Sequence, residues 1–336
     1  DIYALARDYA LQVRRMGINL RLRPYTDERV ALEDFKAGQC DAVLMTNLRG
    51  RQLNKFVGTL DSLGSVPTYE MLRSVIGLLM SPKSAPRMVN GPYEVASIIP
   101  LGAVYPVVND RNINTLAKAS GKRIAAFDWD QTQAILIKQI GARPVSADIT
   151  NFAGKFNNGQ VDIISVPALA VRPLELHKGI GTKGAIINMP FMNITGIMVI
   201  RHDRFNPGDG QRLRDFSASL LDPAFALIKR SEAEIPPHFW SEVPRYEVEG
   251  YMAMMRESRV RLAKDVDQAK TQAETERLRC GQRCVALTPV ELVGLGQQRQ
   301  QPHLAVGQAR RHQGEQAAVE VGKAEARIDH QHHAAQ

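Results

Sequence analysis

Apolar residues follow a helical spacing at the start of the chain and a strand-like spacing directly after it. One face of a helix in residues 1–16 is formed by Ile2, Leu5, Ala6, Tyr9, Ala10 and Val13. Residues 18–22 then alternate between apolar and polar positions, which predicts a strand. Helical and strand-like segments continue to alternate as far as about residue 264. This order predicts an α/β fold with parallel sheets.

An internal repeat divides the folded part of the chain into two similar units. Phe, Gly, Gln and Asp recur at one offset, in residues 35–41 and again in residues 156–162. Each copy predicts a helix end stopped by a glycine, Gly38 or Gly159, and then a buried strand at residues 42–46 or 163–166. We therefore expect two α/β lobes, with the two units superposable and in separate sheets. Extended segments at residues 101–109 and 188–201 are predicted to connect the lobes.

The composition changes after Lys264. Residues 265–336 contain no Phe, Tyr or Trp, are rich in Gln and Ala, and hold five of the eight histidines. The predicted organisation is lobe 1 at 1–104, lobe 2 at 105–194, a return to lobe 1 with C-terminal helices at 195–264, and a tail at 265–336. That tail is predicted to be disordered or translated out of frame, and we expect it to make few contacts with the lobes.

Charge and motifs exclude several classes of function. The net charge of +8 is scattered among acidic residues, which argues against a nucleic-acid partner. Phosphate-loop, dinucleotide, zinc-protease and serine-hydrolase motifs are absent from the sequence, and the spacing of Cys280 and Cys284 is unlike that of a zinc finger. We therefore predict no catalytic residue, no metal and no cofactor. The longest apolar run, residues 95–108, is broken by Pro100 and Pro106 and predicts no membrane helix.

Candidate ligand contacts follow the predicted strands, because open α/β sheets bind ligands at the carboxyl ends of their strands. The loops after Thr46, Phe127 and Val166 are predicted to line a cleft between the lobes. Their candidate residues are Asn47, Arg49, Arg51, Asp128, Trp129 and Pro167. Tyr93 and Tyr105 lie near the first connection and offer flat apolar area with a hydroxyl. The alternatives are a solvated basic loop for the arginines, surface packing for Asp128 and Trp129, and core packing for the tyrosines.

Several stretches resemble a known family. They are YTDERV at 25–30, LRGRQLNK at 48–55, GPYE at 91–94, VNDRNINTL at 108–116 and KFNN at 155–158. Residues 1–264 resemble the periplasmic solute receptors of tripartite ATP-independent (TRAP) transporters, of the DctP-like type. They resemble more closely a bacterial group of solute-binding proteins that sometimes carries an efflux-pump label.

The resemblance implies a two-lobed periplasmic-binding-protein fold of type II, with a hinge and a cleft between the lobes. It implies capture of a small polar molecule for the subunits of a membrane transporter, in the periplasm. The chain opens at Asp1 in a helical pattern, so we expect the family's first strand, and a secretion signal, upstream. An accessory role in multidrug efflux and an enzyme on the same fold stay open as alternatives.

The resemblance also implies an arginine that clamps a substrate carboxylate from a strand of lobe 2. At that position this chain has Ala125. Arg123 lies two residues earlier on the same predicted strand face and is the candidate replacement, with a different ligand pose. A small polar molecule is therefore expected rather than a simple dicarboxylate.

Overall fold

A computed structural model describes residues 2–280 of the chain. The strands in these residues are β1 (Ala42–Thr46), β2 (Val89–Asn90), β3 (Tyr93–Val108), β4 (Arg123–Phe127), β5 (Arg143–Ala147), β6 (Ile163–Pro167), β7 (Ala185–Ile187), β8 (Met192–Arg201) and β9 (Trp240–Ser241). The helices are α1 (Ile2–Arg14), α2 (Glu28–Lys36), α3 (Asn47–Gly50), α4 (Lys55–Gly58), α5 (Tyr69–Met80), α6 (Ala85–Met88), α7 (Leu116–Ala119), α8 (Gln131–Gln139), α9 (Phe152–Asn157), α10 (Ala168–Val171), α11 (His177–Ile180), α12 (Asp209–Ser219), α13 (Leu221–Ala233) and α14 (Arg245–Cys280).

Two long strands run through both halves of one hydrogen-bonded sheet. The strand order is β1-β8-β3-β6-β4-β5, with β2 and β7 also on β3 and β9 on β7. Strand β4 is parallel to β5 and β6, whereas β8 is antiparallel to β1 and β3, and β3 is antiparallel to β6. The sheet is therefore mixed, and the prediction of purely parallel sheets is wrong. The segments predicted as connections, 101–109 and 188–201, lie mostly within β3 and β8, where the chain crosses between the halves; residues 109 and 188–191 fall just outside these strands.

Each half of the sheet buries a core on both of its faces. Around β1, one face packs on a core that includes Phe35 and Ile76, and the other on a smaller core that includes Val13 and Leu213. Around β4 and β6, the two faces carry the cores whose members include Phe156 and Tyr251, respectively. Separate cores in the two halves agree with two lobes. The boundaries at residues 104 and 194 stay predictions.

The repeated units adopt the same local structure. In each, a fully buried phenylalanine, Phe35 or Phe156, precedes a glycine in the left-handed region, with φ of 77° at Gly38 and 68° at Gly159. The next residue closes the helix with the same hydrogen bond, from Gln39 N to Asp34 O and from Gln160 N to Lys155 O, each 2.8 Å. The helix-end and strand unit is confirmed. The expectation of separate sheets is wrong, because β3 and β8 are long enough to continue the hydrogen bonding from one half into the other.

Two further expectations differ from the structure. Residues 18–24 form no strand, because alternation alone cannot make a strand without a hydrogen-bonded neighbour, and no described strand lies beside them. Helix α14 continues to Cys280, so the prediction that regular structure ends at Lys264 is wrong for residues 265–280. The rest of the predicted tail, and with it Cys284, lies outside the described residues.

Helix α14 connects the two halves of the molecule. Tyr251 joins the lobe 2 core, and Ser258 donates a 3.4 Å hydrogen bond to the Gln139 side chain of α8. Arg259 donates to the Leu63 carbonyl in lobe 1. No helix in residues 2–280 is both long enough and apolar enough to cross a membrane.

Candidate functional site

The carboxyl ends of three strands line a cavity of about 2060 Å³. Strands β1, β4 and β6 end at Thr46, Phe127 and Pro167, and all three residues lie in the cavity wall. The volume exceeds the roughly 300–1,000 Å³ usual for a small-molecule site. The cavity also reaches apolar side chains away from these strand ends, such as Leu116 and Ile137. The three strand ends agree with the positions predicted from the sequence.

Arg49 and Trp129 meet across the cleft. The guanidinium carbon of Arg49, on α3, lies 4.2 Å from the centroid of the Trp129 ring, in the loop after β4. Trp129 is also stacked nearly parallel on Phe127, with centroids 5.6 Å apart and an interplanar angle of 9°. Arg49 is only 9% exposed. These two predicted residues thus form a cation–π contact that joins lobe 1 to lobe 2.

A second contact joins the same two loops. Arg51 Nη2 donates to Asp130 Oδ1 at 2.8 Å, and Asp130 is 2% exposed. The same oxygen accepts the Thr132 N–H at 3.1 Å and so caps the start of α8. Asp130 was not among the residues predicted from the sequence. An aspartate directly before a helical segment was a visible signal for a cap, but nothing local indicates its partner 79 positions away.

Arg49 has no hydrogen-bonded anion within residues 2–280. Its Nε is buried without an acceptor, and the nearest carboxylate oxygen, of Glu28, is 4.0 Å away. Both Glu28 oxygens already accept hydrogen bonds of 2.8 Å from Thr46, one from its N–H and one from its hydroxyl. A buried guanidinium with unfilled donors is costly unless another acceptor satisfies it.

Asp61 is a buried acid in the lobe 1 wall that was also not predicted from the sequence. It accepts hydrogen bonds from the Thr195 N–H at 3.1 Å, the Thr195 hydroxyl at 2.7 Å and Asn47 Nδ2 at 3.2 Å. Burial outweighs these bonds and the positive charge of Arg51, and it raises the pKa of Asp61 from 3.8 to about 7. Asn47 does not itself line the cavity, and its side-chain amide donates a hydrogen bond to Asp61, which does.

The raised pKa of Asp61 predicts a stability that falls as the pH rises. The folded state keeps the proton up to about pH 7, whereas the unfolded chain releases it near 3.8. Between these values the folded state binds more protons, so the free energy of unfolding should fall from pH 4 to pH 7, by about 1–3 kcal/mol. Denaturant titrations of wild type and Asp61→Asn across this range should show the slope only in wild type. Equal slopes would contradict the assignment.

Four predicted residues line the cavity, namely Arg49, Arg51, Trp129 and Pro167. The other five have different surroundings. Asn47 is buried under Asp61, Tyr93 packs on Phe35 with ring centroids 5.2 Å apart, and Asp128 is exposed in the turn after β4. Tyr105 donates to Glu232 at 3.0 Å and packs edge-on against Trp240. Arg123 forms an ion pair of 2.7 Å with Asp162 at the amino end of β4, away from the strand's cavity end.

The surroundings of Arg123 follow from strand direction. Because β4 runs from Arg123 to Phe127, its carboxyl end faces the cavity and its first residue lies about 13 Å away along the strand. Asp162 accepts from both the backbone and the guanidinium of Arg123, which holds the pKa of Asp162 down to about 2. Arg123 is thus engaged with Asp162, and its role as a substitute clamp stays a prediction. No group of three or more potential metal ligands occurs in the described part of the chain.

Comparison with known proteins identifies the family. The model of the family "Solute-binding protein AdeT 1/2" matches residues 3–286. Probable solute-binding protein AdeT1 of Acinetobacter baumannii is 46% identical over 264 residues, covering 79% of this chain and 87% of the relative. The chain belongs to the AdeT1/2 family of solute-binding proteins. Probable solute-binding protein AdeT2 of the same organism is 26% identical over 206 residues, covering 60% of this chain and 85% of the relative.

Solved structures show the fold. A TRAP periplasmic solute-binding protein from Pseudomonas aeruginosa with bound L-malate is 10% identical, with a TM-score of 0.63 over 75% of this chain and 92% of that chain. One from Citrobacter koseri with bound D-glucuronate is 9% identical, with a TM-score of 0.64 over 77% and 89%. These matches confirm the two-lobed periplasmic-binding fold. Together with the AdeT1/2 family they make this chain a solute-binding protein, as the resemblance predicted.

Proposed function

We propose that the protein is a non-catalytic periplasmic receptor that closes its two lobes on a small polar molecule and presents it to a membrane transporter. The observation that carries the proposal is the pair of contacts across the cleft. Arg49 lies 4.2 Å from the Trp129 ring, and Arg51 bonds Asp130 at 2.8 Å. Contacts between the loops that follow β1 and β4 hold the lobes together over the cavity, as a hinged receptor does in its closed state.

The charges at the cleft favour a small polar solute. Arg51 is already paired with Asp130, and Glu28 stands near Arg49 without a hydrogen bond to it. Arg49 has an unfilled N–H donor in this wall, and an acceptor on the solute would satisfy it. TRAP receptors of the same fold hold L-malate and D-glucuronate, both small and polar. They are also periplasmic proteins, which supports the periplasm as the compartment.

The polar groups beside Arg49 have structural partners, which supports a binding role rather than catalysis. Asp61 is bonded to Thr195 and Asn47, and Asp130 to Arg51 and the Thr132 N–H. A general acid or base needs a free path to the proton that it moves. The membrane partner follows from the receptor role, since a captured solute has to be passed on.

A thermal-shift screen of the full chain against a metabolite library, followed by calorimetry on each hit, tests this proposal. Arg49→Ala and Trp129→Ala should each weaken binding by about 1–2 kcal/mol, or roughly 5- to 30-fold. Arg73→Ala, which removes an exposed ion pair with Asp222, is the control and should bind as wild type does. Wild-type affinity in both cleft variants would place the site elsewhere and overturn the proposal.

A further inference from the structure

The part of the lobe 2 wall formed by β4 and the turn after it is apolar, whereas Thr132, Gln133 and Ser165 add uncharged polar side chains elsewhere in the lining. Ala125, Phe127 and Trp129 lie at alternate positions of β4 and the turn after it, and all three line the cavity. Because alternate residues of a strand point to the same face, they form one surface. Phe127 is the centre of this surface, with Trp129 stacked on it and Phe152 edge-on, each with ring centroids 5.6 Å away.

Neighbouring residues extend this apolar wall. Val166 and Pro167, at the end of β6, also line the cavity. Asp130 is the charged side chain that residues 105–194 contribute to the cavity lining, and it is already paired with Arg51 and the start of α8. A second carboxylate on the solute would meet no cationic side chain in the lobe 2 lining, so its burial against this wall would be unfavourable.

The lobe 1 wall carries three cationic side chains in the cavity lining just after β1, Arg49, Arg51 and Lys55, and Arg49 is the buried one. Arg49 is nine-tenths buried, lines the cavity, and has no hydrogen-bonded acceptor among the described residues. Trp129 covers the face of its guanidinium group, which leaves the edge with its N–H donors for a ligand. A carboxylate is the acceptor that fits such an edge, because two parallel N–H···O bonds can form.

We propose that the solute is an organic monoacid with a flat apolar body, such as an aryl-substituted carboxylic acid. Its carboxylate binds Arg49 from lobe 1, and its ring lies on the wall formed by Ala125, Phe127 and Trp129 in lobe 2. This inference rests on the proposed receptor function and narrows its ligand. Charge recognition then comes from lobe 1 and shape recognition from lobe 2, so the solute itself bridges the two lobes.

Calorimetry with four probes on the full chain tests the inference. Phenylacetate carries both an aromatic ring and a carboxylate, phenylacetamide lacks the charge, and L-malate and D-glucuronate lack the aromatic ring. We expect phenylacetate to bind at least about 10-fold more tightly than each of the other three. This ranking uses wild-type protein alone and so does not depend on the folding of any variant.

Two variants separate the contributions of the walls. Arg49→Gln should remove the preference for phenylacetate over phenylacetamide, because the charge partner is lost while the ring surface remains. Ala125→Arg places a guanidinium in the apolar wall, and it should weaken phenylacetate and strengthen L-malate, each by about 10-fold or more. Thermal melts should match wild type before either result is used, and Arg73→Ala should reproduce the wild-type ranking.

The outcomes distinguish this inference from the proposed function. If L-malate or D-glucuronate binds more tightly than phenylacetate, and this binding still depends on Arg49, the inference of an aryl-substituted acid would be wrong. The proposed receptor function would remain. Binding of a neutral metabolite with all four probes silent would also overturn the inference alone. Cleft variants that bind every hit as wild type does would overturn both.

Discussion

Replacing Arg214 by alanine is expected to lower the free energy of unfolding by about 3–5 kcal/mol, because it leaves a largely buried carboxylate without its partner. Arg214, on α12, is 1% exposed. Its Nη1 donates to Glu94 Oε1 and to the Val95 carbonyl, each at 2.7 Å, and its Nε and Nη2 donate to Gln211. These bonds fix α12 against the first residues of β3.

Urea titration followed by circular dichroism measures this loss. Arg73→Ala is again the matched control, since Arg73 and Asp222 also form a close ion pair but are 52% and 73% exposed. Its loss should change the free energy of unfolding by no more than about 1 kcal/mol. Equal effects of the two substitutions would show that burial of the Glu94–Arg214 pair does not matter. Neither Arg214 nor Glu94 lines the cavity, so Arg214→Ala should lower stability without changing which ligands the protein prefers.

Removing Arg51 is expected to shift the ligand-free protein toward the open state by about 2–4 kcal/mol, which is roughly 30- to 700-fold in the equilibrium. Arg51→Ala breaks the bond that ties the loop after β1 to the loop after β4, and Asp130, 2% exposed, keeps only its bond from Thr132. The effect should stay near the lower end, because 39% of the Arg51 side chain is exposed.

Hydrogen exchange of residues 129–133 reports this opening. Exchange there should accelerate in Arg51→Ala by the stated factor, and small-angle scattering should show a larger radius of gyration. Asp130→Asn keeps an oxygen that can cap α8 but loses the charge, so it should show an intermediate effect. Unchanged exchange in both variants would show that the Arg51–Asp130 bond does not hold the two lobes together.

Local sequence patterns predicted the parts of the fold that depend on neighbouring residues. Gly38 and Gly159 each follow a predicted helix, which is typical of a left-handed residue that ends the helix. Both glycines have that conformation in the structure. The strand ends at Thr46 and Phe127 followed from the same reasoning. The strand at residues 18–22 was wrong because a strand also needs a partner, which alternation does not supply.

These local patterns could not predict contacts between residues that are far apart in the sequence. Nothing around Asp61 indicates that Thr195, 134 positions away, will bury it, and nothing around Arg51 indicates Asp130. Strand direction explains why Arg123 does not line the cavity, because it begins β4 at the end away from the cavity. Tyr105 instead turns its hydroxyl toward Glu232. Residue type suggested these side chains, whereas the direction of the chain decides what they reach.

Differential hydrogen exchange, with and without a solute from the screen, reports whether the solute binds between the two lobes. We predict that the solute protects residues 47–51, 127–133 and 165–170, the three loops at the strand ends, and that Arg49→Ala removes this protection at matched solute concentration. Protection confined to other segments, with these three loops unchanged, would show that the solute does not bind between the lobes.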